Sequence, residues 1–309
     1  MRGYLDYDVW HDKNEWSIDD TETNRLNEYV RSKAARESPA AANLAVVIGG
    51  SFLSLSLLLG IVLNPSLRSG PSCYVLSLLI SNLVLLFTTS MEMLNDLYDM
   101  PFEPNVDYVI CVTFEASILT LGVFSVDRYA SLCQPSSTIA ISMRKTSTAV
   151  KSVLTIWSMA AILTSMELNL YYEFGNISVA VISLLFTLIF LGLPLIVIVM
   201  LCCLTILNLC RSRKEPPEVC ASTRRRDVED FFRLVLLTTG ILLTMAPYRI
   251  VQLVYRIDPR IPCELENTSV CYTILKMSTV ITPIIYVATY CGFRTVYALS
   301  PSSSLEDAT

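Results

Sequence analysis

Residues 178–208 read SVAVISLLFTLIFLGLPLIVIVMLCCLTILN, a run without a single charged side chain. A helix needs about 20 mostly apolar residues to cross roughly 30 Å of hydrocarbon, and this run exceeds that length. Further apolar blocks lie on both sides of it, near residues 44–64, 72–96, 107–133, 150–169, 231–255 and 271–292. Taken in chain order, these blocks predict seven membrane spans.

Helices are the form that we expect for these spans. Lipid offers no partner to an open backbone, and the strands of a membrane barrel would appear as short alternating segments. Charged residues make up only 17% of the chain, whereas soluble domains carry about 25%. No internal repeat is visible, which argues against a solenoid. The prediction is an all-α, integral-membrane bundle of seven helices.

The basic residues predict how this bundle is oriented, because Lys and Arg accumulate in short loops on the cytoplasmic side. The opposite short loops hold little beyond Arg260. With seven spans, the N-terminus is then outside and the C-terminus inside. The basic residues on the predicted inner side are Arg68, Arg144, Lys145, Lys151, Arg211, Arg213, Lys214, Arg224, Arg225, Arg226 and Arg294.

Polar tails are predicted at both ends of the chain. Residues 1–42 contain no apolar core before a small-residue cleavage site, so we expect the first span to act as its own insertion signal. The expected organisation is an extracellular tail over 1–42, a membrane domain over 43–297 and a cytoplasmic tail over 298–309. The net charge of −5 comes largely from the acidic outer segments, so a nucleic-acid partner has no support.

The residue types argue against enzyme chemistry. The single histidine, His11, lies in the N-terminal tail, which removes histidine metal sites and Ser–His catalysis. The sequence contains no phosphate-binding glycine loop and no paired-cysteine zinc spacing. We expect neither an enzyme nor a metal protein. A seven-span transporter is the weaker alternative, because the two halves show no matching interrupted helices of the kind that build transport sites.

The predicted outer face carries candidate covalent modifications. Cys263 and Cys271 are the two cysteines on this oxidising side, with seven residues between them, and they are a candidate disulfide. Spacing alone does not show whether the geometry fits. Asn176 and Asn267 begin Asn-x-Ser/Thr triplets and are candidate glycosylation sites.

Several short motifs occur along the spans in a defined order. The third span ends in SVDRYASLCQP at residues 125–135, which resembles the DRY segment of rhodopsin-like G-protein-coupled receptors. In the second span, SLLISNL at residues 77–83 is similar to their SLAxADL run. The remaining matches are Trp157, Pro194, Ala246-Pro247-Tyr248, Thr282-Pro283-Ile284-Ile285-Tyr286, and Phe293-Arg294 at the spacing of a short membrane-parallel helix. The resemblance covers about residues 44–297.

This resemblance implies a plasma-membrane receptor that couples to a heterotrimeric G protein. An arginine at the inner end of a span is costly unless it is paired, and Asp127 is the adjacent partner of Arg128. Prolines within spans remove backbone hydrogen bonds and bend helices, a source of two-state behaviour. The expected partners are the G protein, membrane lipids and an outer ligand. The residues implied in coupling and activation are Asp127, Arg128, Tyr129, Pro247, Pro283 and Tyr286.

The chain also departs from the family pattern. Glu103 stands where the outer end of the third span has a cysteine, and the second outer loop has no cysteine either, so both partners of the usual disulfide are missing. These departures put sodium regulation and conventional activation in question. The family's usual residues are replaced by Ser54, Asn82, Cys202, Met245 and Thr282.

Lys276 is the charged residue that most needs an explanation. It lies ten residues before Tyr286 in the last span, roughly 15 Å further from the inner end at 1.5 Å per residue. A lysine at this depth costs about 2.5–3.5 kcal/mol on insertion scales, so it should face the bundle interior and have a partner or a task. The ordinary explanation is an interhelical ion pair with Glu92, Asp107 or Glu115.

The favoured specific hypothesis is a divergent opsin. Residues 276–286, KMSTVITPIIY, resemble the retinal-attachment segment of opsins, including the spacing from lysine to proline. A nucleophilic lysine amine can form a Schiff base with an aldehyde such as retinal. Glu115, thirteen residues before Arg128, resembles an acidic residue that lines the pocket of some opsins. The candidate carboxylates for a protonated Schiff base are Asp107, Glu92 and Glu103.

The competing hypothesis is a peptide or lipid receptor. Residues 105–111, NVDYVIC, are similar to the start of the third span in melanocortin-type receptors, and Glu92 and Asp107 match two of their acidic positions. Such carboxylates can bind calcium through oxygen ligands or capture a basic peptide. A short second outer loop leaves the site open, which suits a large ligand, including a lipid.

Overall fold

The computed structural model describes residues 40–64, 69–98, 106–143, 145–173, 176–212, 221–257 and 265–298, and every regular element in these ranges is helical. A π-helical turn, Leu188–Gly192, joins α6 to α7. The helices are α1 Ala40–Leu63, α2 Gly70–Tyr98, α3 Val106–Cys133, α4 Thr138–Met143, α5 Thr146–Glu173, α6 Asn176–Thr187, α7 Leu193–Ser212, α8 Ala221–Ile257 and α9 Leu265–Ala298.

Seven helical segments in the described part are long and apolar enough to cross a membrane. The first to fourth spans are α1, α2, α3 and α5. The fifth span is built from α6, the π turn and α7, and the sixth and seventh are α8 and α9. This architecture confirms the predicted all-α bundle of seven spans.

The predicted membrane domain over 43–297 begins and ends within described helices, whereas the predicted tails lie largely outside the described ranges. Most of the expected tails over 1–42 and 298–309 is not described. The first helix begins at Ala40, and α9 runs to Ala298 without a break in its helical backbone. Because that helix is continuous through Phe293-Arg294, the described backbone shows no separate element there. The short membrane-parallel helix expected at these residues stays a prediction.

The third span lies at the centre of the bundle. It packs against the second, fourth, fifth and sixth spans. In the apolar part of this span 72% of the residues are buried inside the bundle, whereas the corresponding share is 22% in the first and fourth spans. Its hydrophobic side chains, such as Leu121 and Phe124, meet Leu78, Leu79 and Leu237 in one core. The large apolar side chains exposed on the outer spans are the ones that lipid would cover.

Hydrogen bonds between side chains fix the register of neighbouring spans. The Trp157 indole donates to the hydroxyl of Ser77 at 3.1 Å, and Ser77 shares a 3.1 Å hydrogen bond with Thr120. These contacts join the second, third and fourth spans. The Ser54 hydroxyl donates to the backbone oxygen of Thr279 at 3.3 Å and joins the first span to the seventh. In lipid, such polar contacts replace the hydrophobic drive of soluble cores.

The fifth span differs from a regular helix just before Pro194. The backbone N–H of Leu193 bonds back to the oxygen of Leu188 across the π turn. Proline has no N–H, so a local change in the hydrogen-bond pattern accommodates it. Pro247 and Pro283, by contrast, lie inside continuous helices.

Gly50 tests the close packing of the first span. A Cβ at this position would lie 2.9 Å from the Thr279 hydroxyl oxygen and 3.2 Å from two methyl carbons of Leu86. We expect Gly50→Val to lower the free energy of unfolding by about 1–3 kcal/mol, as overpacking does. The measurement is thermal or denaturant unfolding of the purified protein in detergent.

Gly49→Val is the matched control for this experiment. The two glycines are adjacent on one helix, and a Cβ at Gly49 would meet nothing within 4 Å. We expect this variant to change stability by less than about 0.5 kcal/mol, as ordinary surface substitutions do. Equal losses in the two variants would contradict the packing described for Gly50.

Candidate functional site

Arg128 forms an ion-pair network at one end of the bundle, which we call the inner end. Its guanidinium donates to Asp127 at 2.6 Å, to Asp227 at 3.0 Å and to Asp230 at 3.4 Å. The arginine side chain is 2% exposed, so these contacts are made almost without water. Arg128 therefore ties the third span to the sixth, on which Asp227 and Asp230 lie.

The network continues from the sixth span to the seventh through Arg233. The Arg233 guanidinium pairs with Asp230, donates to the Thr289 hydroxyl at 3.3 Å, and lies over the Tyr286 ring, 4.7 Å from its centroid. The Tyr286 hydroxyl also shares a hydrogen bond with Ser72 at the start of the second span. The inner cluster comprises Asp127, Arg128, Asp227, Asp230, Arg233, Tyr286 and Thr289.

Sequence reasoning pointed to only part of this inner cluster. Asp127, Arg128 and Tyr286 were predicted and are brought together, whereas Tyr129 is half-buried and takes part in none of the described hydrogen bonds of the cluster. Asp227, Asp230 and Arg233 were missed. Their signal was a spacing of three residues, which places polar side chains on one face of a helix.

A second polar site surrounds Lys276 at the other end of the bundle, the outer end. The side chain is 3% exposed, and its amino nitrogen lies 3.9 Å from the centroid of the Tyr272 ring. The Tyr272 hydroxyl donates to Glu92 at 2.6 Å, and Glu92 is the carboxylate that acts electrostatically on Lys276. The lysine is therefore held between the second and seventh spans.

Asp107 joins this site from the third span. The Tyr248 hydroxyl donates to Asp107 at 3.3 Å, and the Tyr248 and Tyr272 rings lie 5.9 Å apart. The outer cluster, made of Glu92, Asp107, Tyr248, Tyr272 and Lys276, thus connects the second, third, sixth and seventh spans. It contains two carboxylates and one amine. The two tyrosines link the acidic residues; the sequence indicated Tyr248 only as part of a family motif and did not indicate Tyr272.

Glu115 belongs to a separate group of polar residues. One of its carboxylate oxygens accepts a 3.0 Å hydrogen bond from Thr164 of the fourth span, and the other has no hydrogen-bond partner among the described residues. On the sixth span, one guanidinium nitrogen of Arg249 donates to both carboxylate oxygens of Glu167, also on the fourth span, at 2.6 and 2.7 Å. A further contact, at 3.1 Å, joins Arg249 to the Cys111 sulfur. Cys111, Glu115, Thr164, Glu167 and Arg249 form the Arg249 cluster.

The structure thus places Glu92 and Asp107, two of the three acids considered as partners of Lys276, in the outer cluster, and the third, Glu115, in the Arg249 cluster. Glu92 acts on the lysine, Asp107 accepts from Tyr248, and Glu115 lies beside Thr164. Glu167 and Arg249 were missed, although a charged residue in the middle of a span is itself a signal of an interior role.

Several predicted sites involve residues outside the described part of the chain. They are Glu103, the side chains of Asn176 and Asn267, and Cys263 of the candidate disulfide with Cys271, and all stay predictions. Within the described ranges, no group of three or more His, Cys, Asp or Glu residues is placed to hold a metal ion.

Comparison with known proteins shows the family. The sequence model described as "7 transmembrane receptor (rhodopsin family)" matches residues 55–286, well over half of the chain. A search with the chain found no match among curated proteins. The chain belongs to the rhodopsin family of seven-transmembrane receptors. It is a multi-pass plasma-membrane receptor that signals to G proteins, and it is not an enzyme.

Glu167→Gln tests the buried ion pair of the Arg249 cluster. The substitution keeps the size of the side chain but removes the carboxylate charge that pairs with the Arg249 guanidinium. Removing one partner of a buried pair costs about 3–5 kcal/mol, so we expect a loss of stability close to the lower figure. Denaturant unfolding of the purified receptor in detergent measures this loss.

Glu115→Gln is the matched control, since it changes a nearby acid whose described hydrogen bond is to Thr164, and glutamine keeps an acceptor for that bond. We expect its stability to change by less than about 1 kcal/mol. A larger loss in Glu115→Gln than in Glu167→Gln would contradict the pairing.

Asp227→Asn tests the contact between the third and sixth spans. Loss of an ion pair worth about 1 kcal/mol shifts a two-state equilibrium roughly fivefold. We expect basal nucleotide exchange on a purified G protein to rise by about that factor. The reason is that the open bundle, in which the third and sixth spans have separated at the inner end, becomes more populated. Glu229→Gln changes a neighbouring acid that is not among the described partners of Arg128, and it should leave the basal rate unchanged. Equal rates in Asp227→Asn and the wild type would refute the prediction.

Proposed function

We propose that the outer cluster is the ligand site of this receptor and that it responds to a ligand with a basic group, such as a basic peptide. The observation that supports this is the meeting of two carboxylates at the outer end: Glu92 and Asp107 each accept a hydrogen bond from a tyrosine, and the two tyrosine rings lie 5.9 Å apart. Acidic side chains within a membrane bundle mark functional sites, and a basic group of a ligand is the charge that such carboxylates attract.

The tyrosines offer a route from this site to the inner cluster. Tyr248 follows Pro247 directly on the sixth span and donates to Asp107. A basic group that captured Asp107 would release the Tyr248 hydroxyl and change the contact between the third and sixth spans. The same sixth span carries Asp227 against Arg128 at the inner end. A ligand that binds better when these contacts are broken shifts the population toward the open bundle.

The second candidate function is light sensing by retinal attached to Lys276. It is favoured by the burial of this amine in the bundle interior and by the nearby carboxylate of Glu92. Lys276 would hold the chromophore and Glu92 would balance its charge, and bound retinal would supply absorption of visible light. The contact of the ammonium with the Tyr272 ring favours the ordinary explanation instead, because the charge is already stabilised by a cation–π interaction.

Lys276→Arg distinguishes the two functions. Arginine keeps the positive charge beside Glu92 and Tyr272 but does not form the covalent link to an aldehyde. We expect no visible absorption band after incubation of the purified wild-type receptor with 11-cis retinal. We further expect both the wild type and Lys276→Arg to stimulate nucleotide exchange in response to hits from an amidated basic-peptide library.

The variants Glu92→Gln and Asp107→Asn complete the experiment. They should lower the peptide response about tenfold or more, since an ion pair that also makes hydrogen bonds is worth about 1.5–3 kcal/mol. A visible band in the wild type that disappears in Lys276→Arg would overturn the basic-ligand proposal in favour of the light-sensing one.

A further inference from the structure

Arg233 is a second buried arginine at the inner end, and its contacts reach a span that Arg128 does not contact in the described ion pairs. It lies one turn after Asp230 on the sixth span and is 8% exposed. Its guanidinium meets three groups: the Asp230 carboxylate on its own helix, and the Thr289 hydroxyl and Tyr286 ring on the seventh span. The sixth and seventh spans are thereby joined by a charged contact at the inner end.

The shape of the guanidinium suits this position. A planar guanidinium can bind a carboxylate along its edge and lie flat on an aromatic ring, whereas an ammonium is a point charge on a flexible stem. Arg233 approaches the ring of Tyr286 with the carbon of its guanidinium 4.7 Å from the centroid. Because Ser72 shares a hydrogen bond with the Tyr286 hydroxyl, this tyrosine is held by both the sixth and the second spans.

Asp230 connects this contact to Arg128. One of its oxygens accepts from Arg233 and the other accepts from Arg128 at 3.4 Å. Asp230 and Arg233 belong to the same helix. An outward movement of the inner end of the sixth span would therefore remove Asp230 from Arg128 and Arg233 from Tyr286 in one event.

We propose that Arg233 is a positioning residue, which holds Tyr286 and the inner end of the seventh span in the closed bundle and, through Asp230, couples its release to that of Arg128. This role does not depend on the nature of the ligand. It makes the seventh span part of the same switch as the third and sixth.

The experiment measures two properties of the full-length receptor in detergent: basal nucleotide exchange on a purified G protein, and hydrogen–deuterium exchange along the seventh span. In Arg233→Met the apolar stem is largely kept and the charge is lost. We expect the basal rate to rise about threefold to tenfold, the range for a cation–π contact together with a lost hydrogen bond. Amide exchange should increase at residues 284–290, with the first span unchanged.

Other variants separate positioning from general loosening. Arg233→Lys keeps the charge and should lie closer to the wild type than to Arg233→Met in both measurements. Asp227→Asn removes a partner of Arg128 and leaves the described contacts of Arg233 in place, so it should raise the basal rate with a smaller increase of amide exchange at residues 284–290 than Arg233→Met. Asp230→Asn, which affects both arginines, should raise the basal rate and increase exchange at residues 284–290 as much as Arg233→Met does. Arg226→Met, at an exposed arginine of the same helix, is the control for loss of an arginine.

Three results would overturn the proposal. The first is Arg233→Met with wild-type basal rate and unchanged exchange at residues 284–290. The second is an increase in amide exchange spread over all spans, which would show a merely structural role. The third is an equal effect of Arg226→Met, because that arginine lies outside the inner cluster.

Discussion

Charge inside hydrocarbon must be balanced, and this constraint organises the bundle. Arg128, Arg249 and Lys276 are each 4% exposed or less, and each is held by groups from a neighbouring span. Leaving any of them without a partner costs several kcal/mol, far more than an average apolar contact contributes. The apolar faces allow the seven helices to pack side by side, and the charged contacts determine which helices are neighbours. Each charged cluster is therefore also a contact between spans.

The sixth span carries a member of all three clusters. Tyr248 and Arg249 lie just after Pro247 in the outer half, and Asp227, Asp230 and Arg233 lie at the inner end. The helix also contributes core residues such as Phe231 and Leu234, and its polar contacts are ones that can be exchanged for others. Such contacts have discrete alternatives, and this suits a receptor with two states.

Much of the fold and part of the site could be predicted from the sequence. Length and hydropathy were enough for seven helices, because backbone hydrogen bonding in lipid leaves few alternatives. Asp127, Arg128 and Tyr286 were identifiable by family motifs. Arg233, Glu167 and Tyr272 were not, since nothing in their local sequence shows which span they face. The expected partners of Lys276 illustrate this limit: three acids were equally plausible along the chain, and the structure associates Glu92 with it.

The sequence by itself determined the class of protein, the number of spans and the presence of charged residues within them. These properties depend on composition and on the order of residues along the chain, because the hydropathy of a segment decides whether it enters the bilayer. Only the tertiary structure decided that Arg128 and Arg233 share Asp230, that Arg249 pairs with Glu167 rather than Glu115, and that Tyr272 stands between Lys276 and Glu92. The physical reason is that the rotation of each helix about its axis is settled by packing against its neighbours, and a rotation of one residue, about 100°, would exchange every one of these partners.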